Sequence, residues 1–440
     1  MCLKKPYLLN NIALTVLLFL LFLPGFIPAQ PLVEGVWDHR FGDRRHGGAG
    51  TSDYIHAIAV HPITGDIYVG GQFTRIHDKE ISYLARWDGV QWHAVGQNPD
   101  RYIFDLVFDQ NGDLYVSGDF TEIGGIRAWS VARWDGQAWH PLGLGVNREY
   151  RDARAIELDS DGNVYIGGKF EGVRNADSSL VVTQDIAKWT GTEWEGVGYG
   201  LNSVSVFELL YHPFEEVLYV GTSRCHAYNA DSSEVLVKSI GRWDGEWHND
   251  LPDDDYYYRY VRDLVMDDNG TLYAGFTASG GIAKRVQGVW ELLAEGVTSY
   301  YDDVSSLAIG NGYLYMGGHF SQVSQPDGTP VTAPNIAKWN LEDEYWSALG
   351  EGIHHTIGED VMALAAAPSG VYAGGRFKEA GGNPSHHFAR WDPLAPDYPA
   401  AYVTFQVDMR RPFRTGMIRG NTRPMIEIYN GRASGRYGLY

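Results

Sequence analysis

Hydrophobic and polar positions along this chain recur in a fixed order. An apolar run of about six residues comes first, as in Ile55–Val60 (IHAIAV) and Ile103–Phe108 (IFDLVF). A turn follows, then a Tyr-Val-Gly-Gly-x-Phe element such as 66–73 (DIYVGGQF). Next come Ala-Arg-Trp-Asp-Gly, as at 85–89, and Trp-x-x-x-Gly, as at 92–96. Short apolar stretches bounded by Gly, Asn and Asp predict strands, four to each copy. Asn111-Gly112, Asp161-Gly162, Asn269-Gly270 and Asn311-Gly312 sit between the first two strands. Asp88-Gly89, Asp135-Gly136 and Asp244-Gly245 join the last two. Such pairs tolerate the positive φ of tight hairpin turns.

The copies are counted by their tyrosines: Tyr68, Tyr115, Tyr165, Tyr219, Tyr273, Tyr315 and Tyr372. Their spacing, about 42 to 57 residues, is that of propeller blades. The Trp opening the fourth strand is Trp37, Trp92, Trp139, Trp194, Trp247, Trp290 and Trp346. The Trp ending the third is Trp87, Trp134, Trp189, Trp243, Trp339 and Trp391; the fifth copy reads IAKRV at 282–286 instead. The last copy stops at 389–392 (ARWD), and its missing piece stands before the first copy, at 37–42 (WDHRFG). The pattern predicts an all-β protein: a seven-bladed β-propeller of four-stranded antiparallel blades, closed by an N-terminal strand. Radial stacking buries the blade faces, and closure protects the edges. The Gly-Gly pair is expected at a bulge or at a close approach to a neighbouring blade's aromatic ring.

These elements resemble kelch-like β-propellers, in which Gly-Gly ends strand two and a Trp opens strand four. They are most similar to the propellers of the fungal cortical cell-polarity marker family and of secreted bacterial proteins. The resemblance covers residues 36–392 and speaks for fold, not function. The Trp-Asp ending of strand three is similar to the WD40 repeat, but that family's Gly-His pair is absent and the period here is longer.

Outside the repeats, residues 1–29 read as a signal peptide. Lys4 and Lys5 precede an apolar run at 12–23, and Pro28-Ala29 prepares a cleavage site. The apolar run is short for a membrane anchor. Cys2 leaves with this segment, so the mature chain keeps only Cys225 and forms no internal disulfide. Residues 401–440 do not match a blade. The segment 402–409 (YVTFQVDM) alternates as a strand would and is similar to the opening of β-sandwich modules in secreted bacterial proteins. The rest is rich in Arg and Gly, without a further strand period. The tail reads as the incomplete start of a sandwich, from a truncated gene, or as a disordered basic tail.

The formal net charge is −20. The signal carries two lysines, and the tail seven arginines against Asp408 and Glu427, so the body between them carries roughly −27. That disfavours nucleic acid and anionic lipid as partners.

Loops joining strands two and three, and loops joining blades, share one side of such a ring. Ligands are commonly held there. Its densest candidates are Asp253, Asp254, Asp255, Tyr256, Tyr257 and Tyr258, continued by Tyr260. Tyr300, Tyr301 and Asp302, then His354, His355, Glu359 and Asp360, and Trp129 follow. Aromatic rings stack on sugar faces and carboxylates accept hydrogen bonds from hydroxyls, so the group fits a glycan surface; the plainer reading is a solvated acidic rim.

The runs 109–113, 159–163 and 267–270 echo a calcium loop but lack its distal Glu and coincide with turns. No metal and no cofactor is expected. The neighbouring pairs His354-His355 and His386-His387 do not read as chelating sites. Segment 222–228 (TSRCHAY) breaks the repeat in the fourth blade, and a copper–radical centre at Cys225 is not assigned on that ground alone. No nucleophile elbow, zinc-protease motif or phosphate loop occurs. The expectation is a monomeric, secreted or cell-surface binding or scaffold module without catalysis, its partner a glycan or a surface protein. The alternative is a carbohydrate-active enzyme with a carboxylate pair on the loop face.

Overall fold

The computed structural model describes residues 35–41, 50–147, 152–202, 205–251, 260–277, 281–293, 296–297, 302–354 and 360–393, with 426–427 and 436–437. The chain divides into two compact units, Gly35–Ala395 and Met1–Glu34 with Pro396–Tyr440. In the second of these, Ile426–Glu427 pairs antiparallel with Arg436–Tyr437, a ladder that the aperiodic tail did not signal. The signal segment and the strand expected at 402–409 lie outside the described residues.

The larger unit is a β-propeller. Its described residues form seven four-stranded antiparallel sheets. The inner strands are Ile55–Val60, Ile103–Phe108, Ala153–Leu158, Val206–His212, Val261–Met266, Asp303–Gly310 and Val361–Ala367. In the last sheet Val36–Trp37 is the outer strand, with Trp37 opposite Trp391. One buried cluster joins the final blade to the first, placing Tyr372 and Phe388 with Ile55, Val69 and Phe73. The ring is therefore closed.

Each repeated residue has a physical role. The two Trp rings of a blade pack tilted at 5.3 Å for Trp87–Trp92 and 5.3 Å for Trp134–Trp139, and edge to face at 5.4 Å for Trp37–Trp391. The outer Trp also reaches the preceding blade. Trp139 Nε1 donates to Val95 O, Trp194 to Leu142 O and Trp247 to Val197 O, at 3.3, 2.9 and 3.2 Å. Gly96, just beyond that accepting residue, has φ +62°, and a Cβ there would lie 2.7 Å from Trp134. The Phe carbonyls of the motif (Phe73, Phe120, Phe170, Phe320, Phe377) accept from Tyr83, Ser130, Asp185, Asn335 and His387, all in the left-handed region. His387 is thus a turn residue of the repeat.

The Gly-Gly pair does mark a close approach, but to β-branched side chains rather than to an aromatic ring. A Cβ at Gly70 would lie 2.5 Å from Ile103, and one at Gly374 2.5 Å from Ile55. The second blade has Ser117 at the first-glycine position, and the strand it faces begins with the smaller Ala153; both are fully buried. The fifth blade replaces its middle Trp by Arg285. That guanidinium bonds Asp250 and Glu215, each at 3.0 Å, and lies 5.3 Å from the Tyr219 ring centroid.

Candidate functional site

All seven inner strands carry a register shift near their start, between residues one and three at Ile103/Asp105, Ala153/Ala155, Val206/Glu208, Val261/Asp263 and their counterparts, and one place later in the sixth blade, at Val304/Ser306. A β-bulge re-aims side chains. Here it falls where each inner strand leaves the loop face. In ring order the residues skipped by the shift are His56, Phe104, Arg154, Phe207, Arg262, Ser305 and Met362. From blade two to blade five, aromatic and guanidinium groups therefore alternate around the mouth of the central channel.

Each arginine lies against the ring of the blade before it. Arg154 stands 5.9 Å from the Phe104 centroid and Arg262 4.8 Å from Phe207. Arg376, from the second-to-third-strand loop of the last blade, stands 4.8 Å from Tyr54 of the first. These are cation–π distances. His56 meets Phe104 edge to face at 5.5 Å, and Tyr260 meets Phe207 likewise at 6.0 Å. Arg154 is paired with Asp152 at 2.5 Å. Among the described residues neither Arg262 nor Arg376 has an ion-pair partner within 4.0 Å. Burial lowers the Arg262 pKa, the charge of Arg154 lowers it further, and Asp303 and Asp360 oppose this. Burial also pushes His56 down to about 4, so it is neutral at pH 7.

Below the cationic arc lies an acidic one. Asp105 Oδ2 accepts from the Ile156 amide of the next blade at 2.9 Å, and Asp263 Oδ2 from Leu307 at 2.6 Å. Glu157 and Glu208 accept from Leu158 and Leu209 at 2.8 and 3.1 Å. Asp105 Oδ1 also accepts from the Leu106 amide at 2.7 Å, so these carboxyls satisfy inner-strand amides that have no further strand to pair with. Protein encloses each carboxyl except toward the channel, which leaves it half-exposed. Burial pushes Asp105 up to about 6, Asp263 to about 7 and Glu157 to about 8, and raises Glu208 strongly with the added repulsion of its neighbours. Among the described residues no three His, Cys, Asp or Glu side chains are arranged to hold a metal ion.

Of the residues singled out in the sequence, Asp253, Asp254, Asp255, Tyr256, Tyr257, Tyr258, Tyr300, Tyr301, His355 and Glu359 lie outside the described residues. Asp302 is buried, at 8% exposure. Trp129 is half-buried. Its backbone clasps the segment entering the next blade, donating to Leu144 O at 3.1 Å and accepting from Val146 N at 3.0 Å. Tyr260 is 39% exposed, with its ring at the mouth.

The calcium-like runs are Asx turns. Asp109 Oδ1 accepts from Asn111 and Asp113 amides at 2.9 Å, and Asp159 and Asp267 repeat the arrangement. Cys225 is a core thiol that burial pushes up to about 12, far from the thiolate that nucleophilic or metal chemistry needs. On the opposite face, a cavity of about 230 Å³ lies between Tyr165, Lys188, Tyr211, Glu216 and Trp243.

The arginines of the mouth were not singled out from the sequence. Their signal is an arginine followed by an acidic residue inside an otherwise apolar strand, in Ala153–Leu158 (ARAIEL) and Val261–Met266 (VRDLVM).

No protein-family profile and no curated protein sequence matches the chain. Among solved structures it is similar to the extracellular domain of the putative one component system BT4673 from B. thetaiotaomicron, at 13% identity and TM-score 0.45. That match covers 80% of this chain and 40% of the other. It is also similar to the WD40 β-propeller domain of Doa1, at 11% identity and TM-score 0.46, covering 78% and 93%. A third is the Niastella koreensis GH74 enzyme, at 14% identity and TM-score 0.44, covering 79% and 55%.

Proposed function

We propose that this chain is a secreted or cell-surface, kelch-like propeller that binds its ligand on the loop face and does not transform it. The ligand is a glycan, or a surface protein displaying one, and the propeller acts as a monomer. The observation that carries this reading is the alternation of Phe104, Arg154, Phe207 and Arg262 around the channel mouth, with Tyr260 exposed beside it. Aromatic faces and fixed donors in a concavity recognise polar ligands. Basic and apolar residues at 1–29 support export.

A glycan array probed with the full mature chain tests the reading, with Tyr260→Ala as the control. Retention of a glycan class that falls in the variant is the expected result. An empty array, with no glycosylated partner recovered, would remove it.

One observation favours a second reading, a carbohydrate-active enzyme. The raised carboxyls of Glu157 and Asp263 have the protonation a general acid needs near neutral pH. New reducing or unsaturated ends from polysaccharides, lost in Glu157→Gln, would establish it in place of the first.

A further inference from the structure

We propose that the channel mouth is a carboxylate-recognition site, and that the sugar it takes is a uronate residue of a short acidic oligosaccharide held by Arg154, Arg262 and Arg376. This deepens the loop-face glycan reading and rests on it.

The body of the chain is strongly acidic, yet Arg154 and Arg262 follow one another around this opening, and Arg376 stands over Tyr54, at the start of the first blade. Two of them, Arg262 and Arg376, have no ion-pair partner within 4.0 Å among the described residues; their ordered contacts are the faces of Phe207 and Tyr54. Stacking fixes a guanidinium plane while leaving its N–H groups free to donate at the edge. Arg154 and Arg262 feel each other's charge across the opening. A bound anion would relieve that repulsion and accept the unmet donors, in the charge-assisted geometry that favours carboxylates. His56, neutral and with Nε2 unpartnered, adds a polar group beside Phe104 without adding charge.

The ring of Tyr260, 39% exposed, stands beside Phe207 and Arg262 and offers a flat face to a pyranose. The net charge limits the ligand's size. A long polyanion would be repelled by the acidic body, whereas a single carboxylate seated among the arginines is screened from distant charge over about 8 Å at physiological salt. A short uronate chain satisfies both conditions, and an acidic peptide would leave the tyrosine face unused.

Calorimetry with the full mature chain tests this, using a galacturonate trimer, its methyl ester and a hexamer of glutamate as probes. The acid trimer should bind, and the ester should bind at least about tenfold more weakly, as loss of a charge-assisted pair implies. Arg154→Gln and Arg262→Gln should each weaken the acid trimer by a similar factor and the ester by clearly less, and Arg262→Lys should recover part of the loss. Thermal melts identify any variant that fails to fold.

Equal binding of acid and ester, or arginine variants that bind the acid trimer as the parent does, would overturn the carboxylate site. So would capture of hexaglutamate without the sugar. Ester binding that is sensitive to Tyr260→Ala would keep the loop-face glycan reading while removing its acidic form. Failure of every saccharide would remove both.

Discussion

The indole of Trp37 donates a 3.0 Å hydrogen bond to the carbonyl of Leu349, 312 positions further along the chain. Trp139, Trp194 and Trp247 make the same bond to Val95, Leu142 and Val197 inside the continuous part of the ring. The first described strand therefore does in the last blade what the fourth strands of blades two, three and four do in theirs. It closes the sheet and ties that blade to the one before.

Trp37→Ala should accordingly open the ring at its seam. The side chain is buried against Trp391, so its loss leaves a large cavity and removes one of the two donors to the Leu349 carbonyl, the Gly352 amide remaining. A cost of about 3–5 kcal/mol is expected. Urea unfolding followed by Trp fluorescence would measure it. Trp129→Ala, at a half-buried loop position, should cost far less. Equal costs would mean that the seam carries no special share of stability.

The blade boundary between Ser117 and Ala153 shows how the repeat tolerates exceptions. Elsewhere a glycine faces Val or Ile because a Cβ would collide, as Gly167 does with Val206 at 2.4 Å. Gly167→Ser alone should therefore destabilise by about 1–3 kcal/mol through overpacking. Adding Val206→Ala recreates the Ser117–Ala153 pairing and should recover part of the loss. A double-mutant cycle would read a coupling of about 1 kcal/mol. Strict additivity would show that the two positions do not meet.

Arg285 tells a similar story with charge. It stands where other blades place Trp, and it neutralises Asp250, whose side chain is 9% exposed. Arg285→Leu strands that carboxylate, at an expected cost of about 3–5 kcal/mol. Asp250→Asn in the same background should return a good part of the loss, because no buried charge is then left alone. Chemical denaturation of the single and double variants would decide the point, and no recovery would argue against it.

The ring was legible because its signals are residue identities at fixed intervals. Tyr, Gly-Gly, Trp and the turn Asp each answer one steric or hydrogen-bonding demand that recurs in every blade. The closure was legible for the same reason, since 37–42 carries the fourth-strand signature. The neighbour of the Gly-Gly pair was misjudged as an aromatic ring because its contact lies across a blade boundary, and periodicity reports only contacts within a blade. The channel mouth was hidden for a related reason. A period-two strand assigns Arg154 and Arg262 to one face or the other, and only the bulge turns them toward the opening. Aromatic and acidic runs such as 253–258 stand out in a sequence, whereas one arginine in an apolar strand does not.

The carboxyls lining the channel make the stability of the ring depend on pH in an unusual direction. In the unfolded chain an Asp or Glu ionises near 4. Folded, Asp105 holds its proton to about 6, Asp263 to about 7 and Glu157 to about 8. Between those limits the folded state binds more protons than the unfolded one, so stability falls as pH rises. Their contribution is whole below about 4 and is lost progressively through pH 6–8. Asp88 works the other way. Backbone amides and His93 hold it down to about 2, against the opposing effect of burial, so its contribution is present above 4 and is lost as the medium acidifies toward 2. The melting temperature should therefore peak near pH 5 and decline toward pH 8. Asp105→Asn with Glu157→Gln removes two of the raised groups while keeping acceptors for the Ile156 and Leu158 amides. Asp263 and Glu208 keep their raised carboxyls in the double variant, so it should lose less melting temperature between pH 5 and 8 than the parent, which drops by roughly 2–4 °C for each kcal/mol lost. Parallel pH profiles for parent and variant would show that channel water keeps these carboxyls ionised, and that the acidic arc has no part in the pH response.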